Sequence, residues 1–176
     1  MVHYQPLPQL SIENSLNISN SSLEDSNYES KIRANSTTVS YAWNDRMSMF
    51  AGFTYDSFFA AGNIQFARGP APLAGMLRDT AINRVWQGGL EIKPVSWVGV
   101  RFTGNYERTT GEGQVNGEPP AYGPLTWPVA TTSVYFNVPR AGRISIDLQR
   151  TYYTEELVPV NNYSANLLTL RWTRNF

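Results

Sequence analysis

From Ser164 to Phe176 apolar and polar residues alternate up to the last position of the chain. Leu168, Leu170, Trp172 and Phe176 share one phase and Thr169, Arg171, Thr173 and Asn175 the other, because successive side chains of a strand point to opposite faces. The phase predicts a strand with one apolar and one water-compatible face. The same alternation recurs upstream. Near 143–155, Ile144, Ile146, Leu148 and Tyr152 oppose Ser145, Asp147, Gln149 and Thr151; near 129–138, Val134, Phe136 and Val138 oppose Ser133, Tyr135 and Asn137. Strands near 81–92 (Trp86, Gly88, Leu90, Ile92) and 96–107 (Val98, Val100, Phe102, Tyr106) flank Lys93-Pro94-Val95, and Asn44-Asp45 separates Val39, Tyr41 and Trp43 from Met47, Met49, Ala51, Phe53 and Tyr55. No segment keeps a 3.6-residue apolar period for the ten or more residues a helix needs, so the chain reads as nearly all β.

The expected connections differ in length. Pro139-Arg140-Ala141-Gly142, Lys93-Pro94-Val95 and Asn44-Asp45 are short turns. Between the hairpins lie long connections near 58–80, with Gly69-Pro70-Ala71-Pro72, and near 108–128, with Gly111-Glu112-Gly113 and Pro119-Pro120, and a shorter one near 156–163. Alternation of short and long connections is the pattern of an antiparallel, up-and-down transmembrane β-barrel, with turns on one rim and external loops on the other. A Greek-key sandwich has no reason to sort its loops this way. A further strand is expected near 9–21, although it is rich in Asn and Ser. Tyr4-Gln5-Pro6-Leu7-Pro8 looks like another Pro-marked short turn, which makes Met1 to Tyr4 the stump of an earlier strand. The expectation is a single domain of about eight strands, which either closes as a small barrel or forms the C-terminal part of a larger one. Met1-Val2-His3-Tyr4-Gln5-Pro6 lacks the basic start and apolar core of a signal peptide, and with the stump this favours the larger barrel.

Leu168, Leu170, Trp172 and the terminal Phe176 resemble the C-terminal signature of bacterial outer-membrane β-barrels, which the barrel-assembly machinery recognises. Arg174 departs from it, standing where the family usually carries another apolar residue. The resemblance implies a porin-like protein in the bacterial outer membrane, in contact with its lipid, that acts as a passive channel or structural scaffold. In its Lys/Gln-Pro short turns and long Gly/Pro connections the chain is also similar to barrels that sheath multihaem cytochromes in electron conduits. No catalytic or ligand residue carries over from either likeness.

Composition adds exclusions. Fourteen Lys and Arg balance 14 Asp and Glu among 176 residues, so charge offers no reason to expect nucleic acid as a partner. Mean hydropathy is −0.34 and no apolar run approaches the roughly 18–20 residues of a transmembrane helix. A barrel strand needs only about 9–11 residues with every second one apolar, so this does not weigh against a barrel. Cysteine is absent, which removes disulfides, thiolate metal sites and thioether haem attachment.

Candidate chemistry is sparse, and neither an enzyme nor a cofactor is expected. His3 is the only histidine and sits in a terminal segment, where a tag-like role is the plain reading; zinc, haem and Ser-His-Asp sites lack their ligands. Glu155-Glu156 reads as a solvated strand end, and Gly111-Glu112-Gly113 as loop, since no Gly-Lys-Ser/Thr follows it. The Asn-x-Ser/Thr triplets at Asn17, Asn20, Asn35 and Asn162 are the chance product of an Asn- and Ser-rich chain.

The constellation that matters is Glu13, Arg46, Glu91, Arg101, Arg143, Asp147 and Arg171, which alternate out of phase with the apolar rows and are expected to line the interior. Interior charges persist only when paired or hydrated, so these form ladders across a filled lumen or line a water-filled pore. Trp43, Tyr55, Trp86, Tyr106, Tyr152 and Trp172 are expected as membrane-interface aromatics near strand ends. Arg84 and Arg150 share the lipid phase and must lie near a rim. A partner protein in the lumen or at the external loops is compatible with this layout. The alternative is a secreted β-sandwich or jelly-roll binding module, with Tyr122, Trp127 and Tyr153 as a carbohydrate platform.

Overall fold

The computed structural model describes residues 1–23, 27–66, 73–116, 123–139 and 141–174. The alternating segments become nine antiparallel strands: β1 (Val2–Leu7), β2 (Leu10–Leu23), β3 (Tyr28–Asn44), β4 (Met47–Phe66), β5 (Leu73–Val95), β6 (Val98–Val115), β7 (Leu125–Val138), β8 (Gly142–Glu155) and β9 (Tyr163–Thr173). They form one sheet in sequence order, with a 3-10 turn at Pro159–Asn161 between β8 and β9. The sheet is all-β and up-and-down, and it is not closed, since β1 and β9 each pair on one side only.

Several boundaries differ from expectation. The stump at Met1 to Tyr4 is a strand in its own right, so the count is nine rather than about eight. Registers run uninterrupted from Met47↔Ile92 to Phe66↔Leu73 and from Ile92↔Val100 to Leu77↔Val115, so most of 58–80 and the first half of 108–128 are strand. The connections there shrink to 67–72 and 116–124. Ladder pairing overrides the Gly content at both places, because its hydrogen bonds satisfy the backbone whatever the side chain. Gly69-Pro70-Ala71-Pro72, Pro119-Pro120, Tyr122 and Phe176 lie outside the described residues. The sorting of connections stands: residues 8–9, 45–46, 96–97 and 139–141 join strands at one end of the sheet, and 24–27, 67–72, 116–124 and 156–162 at the other. At the first end Gly142 closes the β7–β8 turn with φ +95°, where a Cβ would meet the Thr173 carbonyl oxygen at 2.2 Å.

The two faces are unlike in chemistry and in shape. Cross-strand pairing places Leu90, Phe102, Thr132, Leu148 and Leu168 in one row, with rows of Ile92, Val100, Val134, Ile146 and Leu170 and of Val98, Phe136, Ile144 and Trp172 beside it. This apolar face is uncovered: Leu168, Leu170 and Trp172 are 70, 73 and 65% exposed. The few buried strand residues, among them Ala60, Tyr135, Gly62 and Gly99, all belong to the opposite, polar phase. One groove on that face touches Arg101 of β6 and Arg171 of β9, so the strands curl around it with the polar side concave.

Aromatic side chains bound the apolar face at two heights. Near the short turns stand Trp43, Trp97 and Trp172, with Tyr41 edge-on to Trp43 at 6.3 Å and Trp97 against Phe136 at 6.4 Å. Eight residues up the strands, Phe53, Trp86 and Tyr106 contact one another at 5.3 and 5.6 Å. Pro128 and Tyr152 continue that upper row, in line with the registers of their strands. Tyr55 lies one step beyond it and carries the Arg84 guanidinium 5.9 Å from its ring centroid. Arg150 roots one row inside the band, but its guanidinium lies 4.8 Å from the Tyr152 ring centroid, so the charge reaches the upper aromatic row. Trp97 was not among the expected interface aromatics; its position becomes visible only once the β5–β6 turn is known to be residues 96–97.

Candidate functional site

The polar face of β6 to β9 lines a groove of about 1120 Å³ that brings together Arg101, Arg143, Asp147 and Arg171 with the hydroxyls of Ser133, Ser145 and Thr169. Strand alternation alone puts them there: Arg101 pairs with Ser133, Ser133 with Asp147 and Asp147 with Thr169. Arg46 and Glu91 line an adjoining hollow of about 390 Å³ with Lys93. Glu13 shares the face but stands apart, 3.4 Å from the imidazole of His3 across the β1–β2 pair. His3 is therefore part of the sheet rather than a tag-like tail.

Glu91 is the hub of this polar surface. Its carboxylate accepts a hydrogen bond from Arg101 at 3.1 Å, lies 3.9 Å from the Lys93 ammonium and accepts the hydroxyl hydrogen of Tyr135. Tyr135 is 2% exposed because its ring covers Gly99, the residue paired with it on β6. The Arg143 guanidinium packs 3.6 Å from the centroid of that ring. Among the described residues Asp147, Arg143 and Arg171 have no hydrogen bond or ion pair, Arg143 being held by the Tyr135 ring alone. The face is therefore partly laddered and partly left to water. Its guanidinium and hydroxyl donors suit the solvation of small anions.

At the other end of the same face Trp127 meets Tyr153 edge-on at 6.5 Å, and Tyr153 stacks on Tyr163 at 5.4 Å. Two of the three residues expected for a carbohydrate platform, Trp127 and Tyr153, thus come together, with Tyr163 stacked beside them; Tyr122 lies outside the described residues. Glu155 corrects the reading of Glu155-Glu156 as a solvated pair. It is buried at the end of β8, where its carboxylate accepts from the Asn161 amide at 3.2 Å and its backbone N–H donates to Asn162 at 2.6 Å, while Glu156 is exposed. Leu168, Leu170 and Trp172 share the apolar face of β9, and the Trp172 indole donates to the Ala141 carbonyl at 2.7 Å.

Sequence reading placed Tyr135 in the polar phase and Lys93 in a turn without assigning either to the site. The signal that would have found them is the opposition of Tyr135 to Gly99, which needs the strand register. A double-mutant cycle of Glu91→Gln and Tyr135→Phe should give a coupling of about 0.5–1.5 kcal/mol in urea titrations of the folded protein, as for residues sharing one hydrogen-bond network. Additive effects would mean that the two groups do not interact.

Compared with known proteins, the chain matches no protein-family model, no curated protein and no solved structure. Its architecture, a single antiparallel sheet of nine up-and-down strands, is compatible with a β-barrel.

Proposed function

We propose that this protein is an outer-membrane β-barrel, porin-like in character, whose apolar face contacts lipid and whose polar face lines a channel, with no catalytic role. The observation that carries the reading is the pairing of curvature with chemistry: the polar, charged side is concave and the apolar side is uncovered. A soluble sheet does the reverse, burying its apolar face against a second layer. Here the described residues form one sheet and place nothing over that face. A soluble monomer's largest apolar patch is typically about 300–600 Å², far less than rows running across several strands. Among the described residues no second sheet stands against that face, as the β-sandwich alternative would require.

Spanning a bilayer also demands closure, because unpaired backbone groups cannot face hydrocarbon. With nine antiparallel strands, β1 and β9 run in the same direction. An all-antiparallel barrel therefore needs an odd number of further strands between them. The partners on this reading are outer-membrane lipid, the assembly machinery reading β9, and solutes or a partner protein in the lumen or at the longer connections; nucleic acid is not among them. Unpaired Asp147 and Arg171 favour a hydrated channel over a filled scaffold.

The test is folding with and without detergent, followed by far-UV circular dichroism and by gel mobility of unboiled against boiled protein. Sheet and a mobility shift should require detergent or lipid. A monomeric sheet protein in plain buffer would overturn the membrane assignment.

A further inference from the structure

Charges on the polar face are sorted by height. Near the short turns, Glu91, Arg101, Ser133, Asp147 and Thr169 form one cross-strand row. Arg171, paired with Ser145, and Arg143, paired with Asn137, lie successively nearer the turns, with Lys93 near the end of β5 and Arg46 in the β3–β4 turn. Cations outnumber carboxylates there. Towards the longer connections the same phase carries Glu107 opposite Val85 and Trp127, Asp56 opposite Asn83, Glu155 opposite Leu125 and Asp79 opposite Ala60. Among the described residues that half of the face holds no Lys or Arg. The basic residues at that height are in the other phase, with Arg84 opposite Tyr55 and Arg108, Lys31 opposite Phe59 and Arg78 opposite Ala61.

We propose that the lumen is bipolar, an anion-attracting zone at the short-turn mouth in series with a cation-attracting zone at the long-connection mouth, so that it conducts asymmetrically. The inference rests on the channel reading above. Arg101 and Glu107 are six residues apart on β6, about 20 Å along the strand at roughly 3.3 Å per residue. The Debye length is about 10 Å at 0.1 M salt and about 3 Å at 1 M, so at the lower concentration each zone sets its own counter-ion population. When the long-connection side is positive, cations enter through the carboxylate zone and anions through the arginine zone, and carriers accumulate. The opposite polarity draws both out and depletes the junction.

The experiment is planar-bilayer recording of the intact protein in KCl. Orientation is fixed with Ser96→Cys at the exposed β5–β6 turn and an impermeant thiol reagent added to one compartment, which is clean because the chain has no cysteine. In 0.1 M KCl the current at 100 mV should be at least about two-fold larger with the long-connection side positive, and the ratio should fall towards one in 1 M KCl. Asp56→Asn/Glu107→Gln should remove the asymmetry and leave an anion-preferring pore; Arg46→Gln/Arg171→Gln should also reduce it and shift the reversal potential towards cations. Variants are compared only where the unboiled gel band shows folding, and the parent's current ratio stands independently of them. An ohmic parent pore at 0.1 M, or rectification of the opposite sign, overturns the bipolar lumen and leaves the channel. Absence of conductance in folded, membrane-inserted protein overturns both.

Discussion

Leu148→Arg is expected to lower folding stability in lipid vesicles by about 2–4 kcal/mol, whereas Gln149→Arg, one residue along β8, should change it by no more than about 0.5 kcal/mol. The two side chains leave the same stretch of backbone in opposite directions. Leu148 stands between Thr132 and Leu168 in the middle row of the apolar face, and Gln149 lines the polar groove. Ile144 in the lower aromatic row and Tyr152 in the upper one are eight residues apart, about 26 Å along the strand and about 20 Å of height at a tilt of roughly 40°. On the proposed membrane reading that height suits the apolar band of an outer-membrane barrel, about 25 Å tall, and would put Leu148 near the midplane. Native Arg150 starts one row higher and delivers its guanidinium to Tyr152. An arginine at 148 starts about 7 Å further from that row. Urea titration in vesicles measures the difference. Equal, small effects at both positions would show that the Leu148 face meets water, and would sink the lipid-facing assignment.

Gly99→Ala should destabilise the protein by about 1–3 kcal/mol, although alanine is otherwise the better strand residue. A Cβ at position 99 would sit 2.0 Å from Cζ of Tyr135 and 2.2 Å from its hydroxyl oxygen, closer than any real contact. The ring would have to leave, surrendering its hydrogen bond to Glu91 and its stack with Arg143. The sign should therefore reverse in a Tyr135→Ala background, where Gly99→Ala becomes neutral or stabilising by up to about 1 kcal/mol. Gly104→Ala provides the contrast: a Cβ there meets nothing within 4 Å, so the substitution should be neutral or stabilising in the native background. A cost at position 99 that persists without the ring would mean the glycine is needed for its backbone alone.

The second prediction turns on something that alternation cannot express. Period-two patterning at 143–155 and 163–173 told apart the two faces of each strand before any pairing was known, because side-chain direction is a local property of extended backbone. So Glu13, Glu91, Arg101, Arg143, Asp147 and Arg171 share one face while Arg46 stands in the β3–β4 turn, and the other face holds Leu168, Leu170 and Trp172 together. Strand extent was less legible, as at 58–66 and 73–80, where Gly, Ala and polar residues dilute the alternation and only ladder pairing with a neighbour keeps the chain extended. His3 and Glu155 were misjudged for a related reason, since each owes its place to a partner brought up by the sheet.

The sequence by itself determined that the chain is β throughout, that each strand has an apolar and a polar side, and that short and long connections alternate. These follow from residue-by-residue geometry and turn chemistry, which act over a few positions. Only the tertiary structure decided that the polar side is the concave one, that Tyr135 covers Gly99 beneath Glu91, and that carboxylates and arginines occupy opposite ends of that surface. Register, curvature and height depend on hydrogen bonds between strands distant in sequence, and a one-residue change in any register would have moved every side chain of that strand to the other face.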